Sequence, residues 1–137
     1  MNLTEIKAKI LSGDFDKAFS MLYGDTESAR KRYAAACDSF AELYGELDGI
    51  RLFSAPGRTE IGGNHTDHQH GCVLAGSVDL DVIAVVAPNA ENIIRIKSEG
   101  YPMDEVKTDE LNIKPAENGR ASALIRGVCA AFRNNGY

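Results

Sequence analysis

The sequence predicts an α+β protein, with helices first and then a mixed β-sheet packed with one more helix. Two observations lead to this class. In the first third of the chain, apolar residues recur at spacings of three and four, which is typical of helices. After residue 49 they alternate or form short apolar runs, as in strands, until helical spacing returns near the end. We therefore predict a helical N-terminal extension over residues 1–48 and a second domain over residues 49–137.

Three helices are expected in the extension. The first begins at a capping box, with Asn2 in the cap position and Glu5 three residues later. Breaks at Gly13 and Gly24 separate it from a short second helix and from a long third helix, predicted over about residues 27–47. The third helix should bury one face, because its large apolar side chains recur at threes and fours. These are Tyr33, Cys37, Phe40, Tyr44 and Leu47.

Strand patterns dominate the second domain. The run "IRLFS" alternates like a strand, which the following Pro56 and Gly57 are expected to stop. The run "SVDLDVIAVVAPN" alternates at Val78, Leu80 and Val82 and then becomes wholly apolar, as in a strand that enters a covered sheet. Two short strands are expected in "NIIRIKSE" and "MDEVKT", and a final helix in "ASALIRGVCAAFRNNGY".

Composition narrows the class of protein. A net charge of −5 argues against nucleic acid as a partner, since phosphate binding needs a basic face. No apolar run reaches the ~20 residues of a membrane span, and the N-terminus lacks the apolar core of a signal peptide. The three cysteines, odd in number and widely spaced, fit reduced thiols. We expect a cytoplasmic protein.

One polar stretch, "GRTEIGGNHTDHQHG", carries the candidate chemistry. It contains all three histidines of the chain, several charged residues and four glycines. A polar surface turn without a role is one interpretation. A phosphate loop is disfavoured because no G-x-x-x-x-G-K-[ST] motif is present.

A metal site is another interpretation of the same stretch. The side chains of His65, Asp67, His68 and His70 are good transition-metal ligands. The run "HTDH" resembles the end of the H-x-H-x-D-H motif of metallo-β-lactamase-like hydrolases. Gly63 stands where that motif has its first His, so one ligand is missing and we expect no bound metal.

The longer string "APGRTEIGGNHTDHQHGCVLAGSVDLDV" resembles the N-terminal signature of galactokinases, A-P-G-R-x-N-x-I-G-E-H-x-D-Y followed by x-x-G-x-x-L-P. The segment "ALIRGVCAAFRNNGY" is similar to a helix of that family. Three positions of the signature depart from the family: Glu60 replaces Asn, Asn64 replaces Glu and His68 replaces Tyr. The positions that agree without gaps are Pro56, Gly57, Arg58, Gly63, His65, Asp67, Gly71 and Leu74.

The resemblance implies transfer of the ATP γ-phosphoryl group to the anomeric hydroxyl of galactose or a related sugar. Arg58 would be catalytic and would also contact the substrate, beside the reacting hydroxyl. Asn64, His65 and Asp67 would bind sugar hydroxyls. Asn64 keeps the shape of the family's Glu but replaces an acceptor oxygen with an NH₂ donor, which affects the choice of sugar.

The resemblance also implies that ATP and Mg²⁺ serve a longer protein of the small-molecule kinase superfamily to which galactokinases belong. The Gly-Ser-rich ATP loop, the catalytic Asp and the C-terminal glycine motif of that family have no counterpart in these 137 residues. We therefore interpret the chain as an N-terminal part that binds no cofactor and is inactive alone. An unfinished sheet would favour self-association. One alternative is a module of the same fold that senses sugar or binds a partner without turnover. The other is the metal-dependent hydrolase.

Overall fold

The computed structural model describes residues 1–63 and 70–137. Within these ranges the chain forms two compact units, residues 1–88 and residues 89–137. The first unit contains α1 (Leu3–Ser12), α2 (Asp16–Tyr23), α3 (Thr26–Tyr44), β1 (Arg51–Gly62) and β2 (Leu74–Val86). The second contains β3 (Ile93–Lys97), β4 (Met103–Lys107), a short 3-10 helix (Pro115–Glu117) and α4 (Ala121–Asn134). The α+β class is confirmed, and the domain boundary after residue 48 stays a prediction.

The first helix begins as the sequence predicts. The Asn2 side chain accepts a hydrogen bond from the Glu5 backbone N–H at 2.8 Å, and the Glu5 carboxylate accepts one from the Asn2 N–H at 3.0 Å. This reciprocal pair satisfies two of the N–H groups that a helix start leaves open. The helix ends at Gly13, which has a φ of 92°.

The core of the first unit lies between α1, α2 and α3. It includes three of the five residues predicted for the buried face of α3, Tyr33, Cys37 and Phe40, and Tyr44 packs against it. Leu47 lies outside the helix and is 37% exposed, because α3 already ends at Tyr44. The cause is Gly45, whose φ of 76° turns the chain away from helical geometry.

The described strands form two separate antiparallel pairs, β1 with β2 and β3 with β4, where the sequence predicted one mixed sheet. The connection between β3 and β4 is residues 98–102. A parallel pair needs a crossover of about a dozen residues or more, so this short connection permits only a hairpin.

The prediction that Pro56 and Gly57 stop the first strand is wrong. Strand β1 continues through both residues to Gly62. Its pairing with β2 shifts register between Pro56 and Arg58. A proline and a glycine are tolerated in a strand where such a bulge already interrupts the hydrogen-bond ladder.

The face of β2 that contacts the core is not the one that its alternating apolar residues suggested. Leu80 and Val82 are 76% and 73% exposed. The helical core is instead contacted by the other face, which carries Ile83 and Val85. That face also carries Asp81, a charge that the pattern of apolar residues does not anticipate. The self-association expected from an unfinished sheet stays a prediction.

In the second unit, α4 packs against β4 and covers Val106, which is fully buried. The deepest side chain of α4 is Arg126, which donates to both carboxylate oxygens of Glu117 at 2.8 and 2.7 Å and also to the Glu110 carbonyl. Among the described residues, no helix has the length and apolarity that crossing a membrane requires.

Candidate functional site

Of the four residues predicted to act on or bind the sugar, the structure describes Arg58. It lies on β1 opposite Ser77 of β2, just beyond the register shift, and its side chain is exposed. Asn64, His65 and Asp67 fall in the stretch 64–69, outside the described residues. Their grouping with Arg58 therefore stays a prediction.

The residues that border this stretch have unusual backbone angles. Gly63 has a φ of 98° and His70 a φ of 60°, so the chain takes left-handed conformations on both sides of the stretch. A methyl group added to Gly63 would lie 2.5 Å from the Cys72 carbonyl oxygen and 2.8 Å from the Val73 Cα. No side chain fits there, and only glycine combines this angle with this close approach.

Immediately before Arg58, the hairpin contains a bulge. Pro56 pairs with Asp81 and Arg58 pairs with Ser77, so one residue of β1, Gly57, faces three residues of β2. A methyl group on Gly57 would come within 3.0 Å of the Leu80 carbonyl oxygen. The extra residues of β2 thus lie beside Gly57, where the hydrogen-bond ladder to the strand that carries Arg58 is interrupted.

A buried carboxylate, Asp81, stands next to the bulge. The Tyr23 hydroxyl donates to Asp81 Oδ2 at 2.6 Å and the Ser54 hydroxyl donates to the same oxygen at 2.5 Å. Arg32 forms an ion pair with Oδ1, and its other terminal nitrogen donates to the Asp81 backbone carbonyl at 2.8 Å. Because Tyr23 gives its only proton to the carboxylate, the Tyr33 hydroxyl must be the donor in its 2.8 Å contact with Tyr23.

We call these five residues, Tyr23, Arg32, Tyr33, Ser54 and Asp81, the Asp81 cluster. They come from α2, α3, β1 and β2, so one carboxylate joins four elements. The Asp81 side chain is only 5% exposed, and an unpaired charge at that depth would be strongly unfavourable. The cluster compensates by supplying three donors to the two oxygens.

The cluster sets the protonation of its members. Burial alone would raise the pKa of Asp81, but the hydrogen bonds from Ser54, Tyr23 and Arg32 outweigh it and lower this pKa to about 2. Burial, and then the hydrogen bond with Tyr23, raises the pKa of Tyr33 well above its ordinary value. Asp81 is therefore ionised and Tyr33 neutral throughout the physiological range.

The sequence analysis missed the Asp81 cluster. A signal was present, because Asp81 stands in the middle of "SVDLDVIAVV", among residues that otherwise read as a buried strand. A charge at such a position predicts a buried partner of opposite charge. That the partner is Arg32 of α3 requires the tertiary structure.

The metal interpretation depends mainly on residues outside the described ranges. Among residues 1–63 and 70–137, no group of three or more His, Cys, Asp or Glu side chains is arranged to hold a metal ion. His65, Asp67 and His68 belong to the stretch 64–69. The absence of a bound metal stays a prediction.

Comparison with known proteins gives the class of this site. Residues 38–88 match the model of the galactokinase galactose-binding signature. The match begins on α3 and includes all of β1 and β2, and so contains the Arg58 segment and Asp81. The hairpin thus carries a sugar-binding signature.

Curated relatives agree with the signature. The chain is 30% identical over 99 residues to a galactokinase of Bacillus subtilis. The aligned region covers 72% of this chain and 25% of that protein. It is 31% identical over 101 residues to one of Streptomyces coelicolor, covering 73% and 26%. A galactokinase of Dictyostelium discoideum is 34% identical over 71 residues, covering 52% and 14%. No solved structure matches the chain significantly. The chain is therefore related to the galactokinases and spans about a quarter of the length of the bacterial relatives.

Proposed function

We propose that this chain is the sugar-binding part of a kinase that transfers the γ-phosphoryl group of ATP to the anomeric hydroxyl of galactose or a close relative. The observation that carries this proposal is the signature match over residues 38–88, which includes the hairpin β1–β2. ATP with Mg²⁺ is the phosphoryl donor in this proposal. We expect the groups that bind them to belong to a longer protein, and the chain alone to be inactive.

Arg58 has the chemical role in this proposal. Its side chain on β1 is exposed and therefore accessible to a bound ligand. A guanidinium is permanently charged, so it stabilises the negative charge that develops on the transferred phosphoryl group. The same charge keeps a neighbouring carboxylate base ionised.

The polar residues Asn64, His65 and Asp67 have the binding role in this proposal. Asp67 offers two acceptor oxygens and His65 a donor and an acceptor, which suits the hydroxyl groups of a sugar. Such contacts act on the ground state and the transition state alike, so their loss affects binding more than the chemical step. Asn64 contributes one donor and one acceptor and thereby selects among sugars.

Steady-state kinetics of the full-length protein test this assignment. Arg58→Ala should lower kcat for galactose by roughly 100-fold or more, the effect of removing one preorganised charge. Asp67→Ala should chiefly raise KM, by the equivalent of about 1.5–3 kcal/mol. Arg51→Ala is the matched control, because Arg51 is an exposed arginine at the opposite end of the same strand. Undiminished turnover in Arg58→Ala, or an equal loss in Arg51→Ala, would contradict the role of Arg58.

A sugar sensor without turnover is the second candidate, and Asn64 favours it. Where galactokinases have Glu, this chain has an amide that cannot accept hydrogen bonds through both terminal atoms. If the full-length protein is a weak galactokinase, Asn64→Glu should improve galactose phosphorylation. A full-length protein that binds galactose by calorimetry, yields no sugar phosphate and gains nothing from Asn64→Glu would establish the sensor instead.

A further inference from the structure

The Asp81 cluster lies where the backbone pairing of the hairpin is weakest. Pro56 and Asp81 form the last pair of the regular ladder that begins at Arg51 and Val86, and pairing resumes only at Arg58 and Ser77. Pro56 has no backbone N–H, so it cannot donate a ladder hydrogen bond to β2. At this place the side chain of Asp81 supplies the contacts that the ladder lacks, since Ser54 of β1 donates to it at 2.5 Å.

The helices hold Asp81 by two independent groups. Arg32 of α3 contacts both the carboxylate and the backbone carbonyl of Asp81, and the two contacts together restrain the side chain and the main chain. Tyr23, the last residue of α2, donates to the same carboxylate at 2.6 Å. Tyr33 in turn contacts the Tyr23 hydroxyl and fixes its orientation. The backbone at the bulge is therefore tied to the helices as well as to β1.

Arg58 is the first β1 residue to pair after this anchored point. One residue, Gly57, separates it from Pro56, and Gly57 packs so closely on β2 that an added methyl group would crowd the Leu80 carbonyl oxygen. A displacement of β2 at Asp81 would therefore reach the backbone of Arg58 through a short, closely packed connection.

We propose that Asp81 is a positioning residue for Arg58: by joining α2 and α3 to the bulge, it fixes the strand segment from which the Arg58 guanidinium reaches the substrate. The inference rests on the proposed function for the catalytic role of Arg58. It gives the N-terminal helices a part in the reaction, because they supply Tyr23 and Arg32.

A kinetic experiment on the full-length protein tests the proposal. Asp81→Asn keeps the size of the side chain but removes its charge and leaves Arg32 without its ion partner. Catalysis by a preorganised charge depends steeply on position, and a misplacement of about 1 Å can cost ~100-fold. We expect Asp81→Asn to lower kcat by about 10-fold and to change KM for galactose much less. Tyr23→Phe keeps the ring and the charge of Asp81 but removes the hydrogen bonds of the Tyr23 hydroxyl to Asp81 and with Tyr33, so it should give a smaller loss of the same kind. Asp48→Asn, which removes an exposed carboxylate of the same unit, is the control.

A double-mutant cycle with Arg58→Ala separates positioning from general damage to the fold. If Asp81 acts through Arg58, then Asp81→Asn should reduce kcat little further once Arg58 is absent. The same 10-fold factor in the Arg58→Ala background would overturn the proposal. If Asp81→Asn does not fold, Tyr23→Phe takes its place in the cycle and is judged by the same criterion.

Amide hydrogen exchange in the 137-residue chain tests the structural step without any enzyme activity. In Asp81→Asn or Tyr23→Phe, the amides of Arg58, Thr59 and Glu60 should exchange at least several-fold faster, whereas those of α1 should not. Unchanged protection at Arg58–Glu60 would overturn the proposal. A full-length protein that phosphorylates no sugar would refute the proposed function. It would not decide the structural proposal, because the exchange measurement tests separately whether Asp81 positions the segment Arg58–Glu60.

Discussion

The pH dependence of stability offers a quantitative test of the Asp81 cluster. The hydrogen bonds and the Arg32 charge lower the pKa of Asp81 from 3.8 to about 2, against the opposing effect of burial. A carboxyl whose pKa is lower in the folded than in the unfolded state binds its proton more weakly when folded, so its ionisation favours folding. The resulting stabilisation is complete above about pH 4–5, declines as the pH falls toward 2, and is lost below it. A shift of nearly two units corresponds to about 2 kcal/mol, at about 1.4 kcal/mol per unit.

The assay is urea unfolding of the wild-type chain and of Asp81→Asn at several pH values between 2 and 7. Near-ultraviolet circular dichroism can follow the first unit, because Tyr33 is buried in its core and Tyr23 packs against that core. The free energy of unfolding of the wild type should exceed that of the variant by a constant amount above about pH 5. This difference should shrink by about 2 kcal/mol as the pH falls to 2. Asp48→Asn controls for the loss of one carboxylate. Parallel pH profiles for the wild type and Asp81→Asn would refute the reasoning.

Three further predictions concern other parts of the chain. Gly63→Ala should lower the free energy of unfolding by about 2–4 kcal/mol, because the left-handed angle and the close backbone contacts both oppose a side chain. Gly45 also has a positive φ but has open space around it, so Gly45→Ala should lower the free energy of unfolding by only about 1–2 kcal/mol. Equal costs in urea unfolding would contradict the contact argument. Arg126→Lys should destabilise the second unit by about 1–3 kcal/mol, since lysine cannot form the two parallel hydrogen bonds that Arg126 donates to the Glu117 carboxylate. Unchanged amide hydrogen exchange in β4 would contradict this prediction. Elemental analysis of untagged protein should find no stoichiometric zinc; one zinc per chain, lost in His65→Ala, would support the hydrolase interpretation.

Local patterns predicted the helical region well because they depend on neighbouring residues. The capping box at Asn2 and Glu5 and the buried spacing of Tyr33, Cys37 and Phe40 are properties of single helices, and the structure confirms them. The fold class and the relation to galactokinases are confirmed as well, since the signature consists of specific residues at fixed spacing. The expected mixed sheet is wrong, because each strand pairs with its neighbour in the chain and the short connection between β3 and β4 excludes a parallel pair.

The errors at Pro56 and in β2 have a common physical origin. Sequence rules treat proline and glycine as ends of strands because they assume a regular ladder, which both residues weaken. Here the ladder is already interrupted by a bulge, and a buried charge, Asp81, stabilises the interruption from the side. The same charge reverses the expected faces of β2, because a carboxylate that must meet Arg32 turns its face toward the helices and leaves Leu80 and Val82 exposed. Strand β1 thus departs from the local rules just before Arg58, where the ion pair between Asp81 and Arg32 takes over the role of the backbone hydrogen bonds.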